Sequence, residues 1–178
     1  MKKLFIFIVL SLSLYQAHSQ IDLNFELQVY PTGIIPGIRI EQNQGEKSAT
    51  HLRMGYNWIR HRDLGVQEDE RGDGFGFTIG HKRYFKNNHQ GWNIGLKTDF
   101  WRNTLDWKNN IDQVDEISGT TKITVIQPTA ELGYLIQKDN FHLTPTIAFG
   151  YEWNVKTEGE PTGEGAILLL GIQLGKRF

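Results

Sequence analysis

The segment Ile21–Tyr30, which reads IDLNFELQVY, alternates apolar and polar residues without interruption. Apolar residues occupy its odd positions up to Val29, whereas aspartate, asparagine, glutamate and glutamine occupy its even positions up to Gln28. Successive side chains of a β-strand point to opposite faces of its sheet, so a period of two residues is typical of a strand. The segment therefore predicts a strand with one apolar face and one polar face.

Seven more segments with the same period follow this first strand along the chain. They are separated by stretches rich in glycine, asparagine, aspartate and other charged residues, which are typical of turns and loops. No segment after residue 20 has the period of a helix, so the chain is predicted to be all-β, with eight antiparallel strands in an up-and-down meander. The seven further strands are predicted at residues 34–42, 49–60, 74–85, 91–106, 122–137, 141–156 and 165–178.

The first nineteen residues have a different character from the rest of the chain. Two lysines at positions 2 and 3 precede an apolar centre from Leu4 to Leu14, and the small residues Ala17 and Ser19 follow. This order is typical of a secretory signal peptide, and the apolar centre is shorter than the roughly 20 residues that a membrane-spanning helix needs. We expect residues 1–19 to be a signal peptide that is removed after Sec export, and residues 20–178 to form one barrel domain. A retained membrane anchor is the alternative.

Composition excludes several classes of protein. Without the signal peptide, the chain carries seventeen basic and twenty acidic residues, a net charge of −3, whereas a nucleic-acid-binding protein would show a concentrated basic face. The chain has no cysteine, so disulfide bonds cannot stabilise it after export. The histidines at positions 51, 81 and 89 have no spacing typical of a metal site, and no cofactor is expected.

Alternation alone leaves open which face of the barrel is buried. The apolar faces carry bulky residues such as Trp58, Phe77, Phe100, Phe149 and Trp153, whereas the polar faces carry many glycines. The interior of an eight-stranded barrel is just wide enough to be filled by side chains, so that many aromatic residues would overpack it. The residue sizes therefore favour a transmembrane barrel, whose apolar face meets lipid and whose polar face lines the interior. A soluble periplasmic barrel that binds an apolar ligand is the alternative.

The connections and the aromatic residues favour the same architecture. Aromatic residues lie near both ends of the predicted strands, where they would form two belts at the membrane interfaces. Short turns at one end alternate with longer loops at the other, and the longest predicted loops span residues 61–73 and 107–121. Short periplasmic turns and longer external loops are typical of outer-membrane barrels.

Residues 165–178 read GAILLLGIQLGKRF and end the chain on an aromatic residue. Leu170, Ile172, Leu174 and Phe178 occupy alternate positions, and this pattern resembles the C-terminal assembly signal of the Gram-negative outer-membrane β-barrel protein family. The resemblance implies an eight-stranded transmembrane β-barrel in the outer membrane, recognised by the barrel-assembly machinery during biogenesis. It also implies outer-membrane lipids and lipopolysaccharide as partners, and a monomer is expected.

Charged residues of both signs are predicted to face the interior. Because an isolated buried charge costs several kcal/mol, these residues are expected to pair and to plug the lumen. A narrow polar pore or proton path is the alternative. The predicted lumen network comprises Glu26, Arg39, Glu41, Arg53, Lys97, Asp99, Glu131, Glu152 and Arg177.

These features predict a structural or surface-interaction role without catalysis. A lipid-modifying barrel enzyme is the main alternative, and it would need a serine, a histidine and an acid that converge in space. After residue 19 the only serines are Ser48 and Ser118, and the stretch that begins at His142 resembles the His-x-Ser arrangement of lipid A deacylases but carries Thr144 in place of serine. The charged loop at 61–73 is expected to be a solvated surface loop.

Overall fold

The computed structural model describes residues 20–178, so the predicted signal peptide at 1–19 lies outside the described residues. This part of the chain contains no helix that is long and apolar enough to cross a membrane. Its strands are β1 (Ile21–Tyr30), β2 (Gly33–Gln44), β3 (Ser48–Arg62), β4 (Asp69–Tyr84), β5 (Gly91–Asn109), β6 (Ile117–Lys138), β7 (Phe141–Glu158) and β8 (Gly165–Arg177).

The eight strands close into a single barrel. Each strand pairs antiparallel with its neighbour in sequence, and β1 pairs antiparallel with β8 along a ladder that runs from Asp22 and Arg177 to Val29 and Leu170. Closure leaves no edge strand with unpaired backbone groups. The predicted fold class, an eight-stranded antiparallel up-and-down β-barrel, is confirmed.

The apolar face of the strands points outward. Trp58 and Phe149 are 52% and 62% exposed, and Phe100 stacks on the outward ring of Phe77 with their centroids 4.8 Å apart. The residues next to Phe77 and Phe100 in their strands, Thr78 and Asp99, are polar and face inward, as does the completely buried Arg53. Apolar patches of this extent are rarely exposed to water by soluble monomeric proteins, whereas they suit contact with lipid.

Loop lengths differ between the two ends of the barrel. The turns at residues 45–47, 85–90 and 139–140 share one end with both chain termini, and we call this the terminal end. The opposite end, which we call the loop end, carries the connections at residues 31–32, 63–68, 110–116 and 159–164.

The two longest predicted loops are shorter than expected, because strands extend into them. Arg62 pairs with Asp69 at the end of the β3–β4 hairpin, and Asn109 pairs with Ile117 at the end of the β5–β6 hairpin. The high charge of residues 61–73 suggested a loop, but a strand that projects beyond the apolar band meets water on its outward face. Charged residues are therefore compatible with a continuous ladder there.

The interior also contains an apolar layer that the polar pattern did not predict. It lies toward the loop end, and Trp101 from β5 is its largest member. Gly55 and Gly76 leave room for this indole, because an added Cβ at Gly76 would overlap the ring and one at Gly55 would lie 3.1 Å from it. The layer comprises Ile35, Trp101, Leu105, Ile123, Val125, Ala148, Ile167 and Leu169.

Candidate functional site

The centre of the lumen is organised around one carboxylate that two arginines share. Arg39 on β2 forms a salt bridge with Glu26 on β1, in which Nε and Oε2 are 2.6 Å apart and Nη2 donates a 3.1 Å hydrogen bond to Oε1. Arg53 on β3 approaches the other oxygen of the same carboxylate, with Nη1 and Oε1 separated by 3.4 Å. Gln28 donates a further hydrogen bond of 2.6 Å to Oε1. Neither arginine nor the carboxylate has surface that water can reach.

Two more carboxylates and a lysine extend this centre to β5 and β6. Arg53 donates to Asp99 at 2.9 Å, and Thr78 donates to the same oxygen. Glu131 binds Lys97 at 3.1 Å and lies 3.4 Å from Arg39. The connected set contains three acidic and three basic groups, so its formal charge is zero. We call it the central ion cluster: Glu26, Arg39, Arg53, Lys97, Asp99 and Glu131.

Two separate ion pairs lie between this cluster and the terminal end. Lys82 contacts Glu41 at 2.7 Å, and Tyr84 donates a hydrogen bond to the other oxygen of that carboxylate at 3.2 Å. Arg177 makes two parallel hydrogen bonds of 2.8 Å to the carboxylate of Asp22. Bidentate pairing of this kind is the strongest arrangement available to an arginine and a carboxylate.

Eight of the nine residues predicted for the lumen network are buried and take part in these contacts. Asp22 and Lys82, which complete two of the ion pairs, were missed. The sequence indicates that both residues point into the lumen. Asp22 lies on the polar face of the first strand, and Lys82 follows Thr78 and Gly80 at alternate, inward-facing positions of β4. Pairing partners depend on the register between strands, which alternation within one strand does not contain.

Glu152 is the exception among the nine. It faces inward on β7, but no cation among residues 20–178 forms an ion pair with it. Ile167 of the apolar layer lines the same cavity as Glu152, but a neighbouring hydrophobic side chain cannot neutralise a carboxylate. Its assignment to the paired network was therefore wrong, because strand alternation gives the direction of a side chain but not its partners on neighbouring strands.

Glu152 instead lines a cavity of about 280 Å³ at the loop end, which we call the loop-end cavity. Its apolar wall includes side chains from the neighbouring apolar layer, and its polar wall includes a hydrogen-bonding contact between His61 Nε2 and Glu70 Oε2 at 3.1 Å. Residues of the loops at 31–32, 63–68 and 159–164 complete its lining. From the terminal end to the loop end, the lumen thus contains ion pairs, then an apolar layer and then this cavity.

The four residues of the predicted assembly signal lie on the outer surface. Leu170, Ile172 and Leu174 point outward from β8 and are exposed. Phe178 follows the strand, and its backbone nitrogen donates to the carbonyl of Ile21 at 2.9 Å. The last residue is therefore held by the closing pair of strands. Its exposed ring lies 5.0 Å from the ammonium of Lys176.

The candidate catalytic and metal-binding residues are not brought together. Ser118 pairs with Lys108 in an outer groove that no described histidine lines, and Ser48 lies at the terminal end. His142 contacts Asn24 at 2.6 Å in the lumen. Among residues 20–178, no three histidine, cysteine, aspartate or glutamate side chains are arranged to hold a metal ion.

The histidines at positions 51, 81 and 89 occupy three different surroundings. His51 points into the lumen, whereas His81 points outward and contacts Thr50 at 3.1 Å. His89 lies in the turn at 85–90, where its Nε2 is 3.1 Å from the carbonyl of Ser48 and burial lowers the pKa of its ring. The three rings therefore share no site.

Replacing the shared carboxylate, Glu26→Gln, should destabilise the barrel strongly. The amide keeps the shape of the side chain but leaves Arg39 and Arg53 buried with too little negative charge, so we expect a loss of about 3–5 kcal/mol in the free energy of unfolding. Urea unfolding of the refolded protein in detergent, followed by tryptophan fluorescence, measures this loss.

The matched control is Glu116→Gln, which breaks an exposed pair. Glu116 lies 2.8 Å from Lys108 in solvent, and that hydrogen bond lowers the pKa of its carboxyl. Exposed pairs contribute little to stability, so the control should unfold like the wild type. If the two variants had equal midpoints, the central ion cluster would not be the stabilising element inferred from its geometry.

Comparison with known proteins adds evidence on the fold. Neither a protein-family model nor a curated protein sequence matches the chain. It is similar in structure to a major outer membrane protein from Thermus thermophilus, with a TM-score of 0.56 and 10% identity over 90% of this chain and 100% of that one. It is also similar to Ail, the attachment invasion locus protein of Yersinia pestis, solved in complex with the heparin analogue sucrose octasulfate. That match has a TM-score of 0.52 and 9% identity over 90% of this chain and 97% of Ail.

At this level of identity the likeness concerns the fold and not the activity. The closed meander, the outward apolar face and these two structures agree with one another. The chain has the fold of the small eight-stranded outer-membrane β-barrel proteins.

Proposed function

We propose that this chain is an integral outer-membrane protein with a structural or surface-interaction role. In this proposal, Sec export removes residues 1–19 and the barrel-assembly machinery inserts residues 20–178 as a monomer. The loop end then faces the outside of the cell. The observation that carries the proposal is that the outer face of the strands is apolar and exposed, whereas the centre of the interior is filled by ion pairs.

Aromatic residues near both ends of the barrel support a membrane location. Toward the terminal end, Trp92 and Tyr134 pack edge to face on the outer surface with their ring centroids 5.0 Å apart. Toward the loop end, Tyr151 and Trp153 form a second outward pair with the same centroid separation. Tryptophan and tyrosine favour the two membrane–water interfaces, because their rings are apolar with one polar atom. The alternative of a soluble periplasmic barrel has no comparable explanation for these rings.

The central ion cluster supports a plugged lumen rather than a pore. Arg39, Arg53 and Glu26 cross the barrel at its centre, and none of them has surface that water can reach. An aqueous path along the axis would expose at least some of these atoms. The apolar layer around Trp101 adds a second barrier toward the loop end.

A cluster of outward cations supports contact with phosphorylated lipid headgroups. Arg102 and Lys156 flank Thr124 in neighbouring strands, and Lys122 lies two residues before Thr124, toward the loop end. Glu158 lies opposite Lys122 and contacts Lys156 at 2.5 Å, so one acid accompanies the three cations. These cations, which we call the loop-side basic patch, lie directly beyond outward apolar residues that include Phe100 and Trp153. At the level of the headgroups, they are placed to bind phosphates of lipopolysaccharide or other anionic lipids.

Fractionation of a Gram-negative host that expresses the full chain tests the proposed location. The protein should sediment with outer membranes, resist extraction by alkaline carbonate and change its gel mobility on boiling. A variant that begins at Gln20 should remain inside the cell, because it lacks the predicted signal peptide. Recovery of the full chain in the soluble periplasmic extract would contradict the proposal.

Neutralising the patch with Arg102→Gln, Lys122→Gln and Lys156→Gln should reduce lipid A binding. We expect lipid A to raise the thermal unfolding temperature of the wild-type protein in detergent and to have little effect on the triple variant. Dephosphorylated lipid A should stabilise neither protein, because the cations have no phosphate to bind.

A second triple variant provides the charge-matched control for this measurement. Arg83→Gln, Lys86→Gln and Lys138→Gln remove the same charge from the exposed surface near the terminal end. This control should keep the wild-type response to lipid A. Equal responses from the two triple variants would show that net charge, and not the loop-side basic patch, determines lipid binding.

A further inference from the structure

The loop-end cavity has an apolar wall inside the mouth of the barrel. Ile59, Leu105, Ile123 and Ile167 line it, together with the half-buried ring of Tyr30. The hydroxyl of Tyr30 donates a 2.7 Å hydrogen bond to Asn57, which fixes the orientation of the ring. A volume of about 280 Å³ is slightly below the usual range for drug-sized ligands, so the cavity suits a small molecule with an apolar body.

The polar wall of the cavity has more acidic side chains than basic ones. Three glutamates, Glu70, Glu152 and Glu164, face one histidine, and no lysine or arginine among the described residues lines the cavity. The carboxylate of Glu70 is paired with His61. Glu164 accepts a 3.0 Å hydrogen bond from the backbone nitrogen of Asn154. Glu152 has neither an ion pair nor a side-chain donor within the described chain, so its carboxyl oxygens are free to accept hydrogen bonds from a ligand.

A buried acceptor beside the cavity also has no protein partner. Asn103 is only 2% exposed, yet no donor in the described structure reaches its Oδ1. A buried carbonyl oxygen without a donor is destabilising, and a hydrogen bond from a ligand would remove that cost. The cavity therefore contains two hydrogen-bond acceptors without a protein donor, the Glu152 carboxyl group and the Asn103 carbonyl oxygen. A ligand that carries a cationic N–H donor would complement both of them.

The side chains favour an organic cation over a metal ion. No group of three or more histidine, cysteine, aspartate or glutamate side chains in residues 20–178 could coordinate a metal. Most of the remaining lining is apolar, and a hydrated metal ion gains nothing from such a wall. An ammonium group attached to an apolar body matches both walls, and the Tyr30 ring is a suitable face for cation–π contact.

We propose that the loop-end cavity binds a small primary amine, with its ammonium group on Glu152 and Asn103 and its apolar body against the wall around Ile123 and Ile167. No residue of the central ion cluster lines the cavity, so this binding leaves the ion pairs of the plugged lumen intact. The proposal depends on the shape and charge of the loop end and not on the cellular location of the barrel.

Calorimetric titration of the refolded full-length barrel in detergent with three probes of similar size tests the proposal. Benzylamine carries the cation, benzyl alcohol is its neutral counterpart and benzoate carries the opposite charge. Benzylamine should bind at least tenfold more tightly than benzyl alcohol, and benzoate should not bind detectably. Equal affinities for benzylamine and benzyl alcohol, or no binding of benzylamine, would overturn the proposal.

Two variants locate the bound amine. Glu152→Gln keeps the side-chain shape and should weaken benzylamine binding about tenfold or more, because it removes a charge-assisted hydrogen bond. Glu160→Gln removes the same charge from the neighbouring loop without lining the cavity, and it should bind like the wild type. Unchanged binding by Glu152→Gln would overturn the proposal. The heat-dependent gel shift shows whether each variant is folded, and the wild-type probe series decides the question if Glu152→Gln does not fold.

Discussion

The shared contact of Glu26 with Arg39 and Arg53 is the interaction on which the rest of the structure depends. Charges of this kind are tolerated at the centre of a narrow barrel only when they are paired and kept from hydrocarbon. Keeping them inside turns the opposite face of every strand outward. The exposed apolar band, the aromatic residues near its ends and the absence of water-accessible surface at the central arginines all follow from that one orientation.

The interior is divided by height, and each level has a different consequence. Ion pairs occupy the middle and the terminal end, where they tie together strands that are distant in sequence, such as β1 and β8 through Asp22 and Arg177. The apolar layer around Trp101 lies beyond these ion pairs, toward the loop end. The loop-end cavity there contains Glu152, which has no ion pair among the described residues. A barrel whose lumen is filled by ion pairs and whose loop end is concave can bind a small ligand only at that end.

Alternation in the sequence was sufficient to predict the strands and their number, but not which of their faces points outward. Residue sizes resolved the sidedness, since glycines such as Gly76 face inward and rings such as Trp58 face outward. Three features could not be predicted in this way. The partners of Asp22 and Lys82 depend on strand register, and the burial of Trp101 depends on glycines from neighbouring strands. The lack of a partner for Glu152 depends on which residues the neighbouring strands place around it. Each is set by neighbouring strands and not by the residue's own segment.

The orientation of the strands can be measured directly from the five tryptophans of the chain. Variants that retain a single tryptophan at position 58, 92, 101 or 153, with phenylalanine at the others, would be refolded into bilayers of acyl-brominated phosphatidylcholine. Bromine should quench the fluorescence of Trp58, Trp92 and Trp153 strongly, because these side chains are exposed on the outer surface, and should leave Trp101 nearly unquenched in the lumen. Strong quenching of Trp101 with little quenching of Trp58 would contradict the inverted barrel.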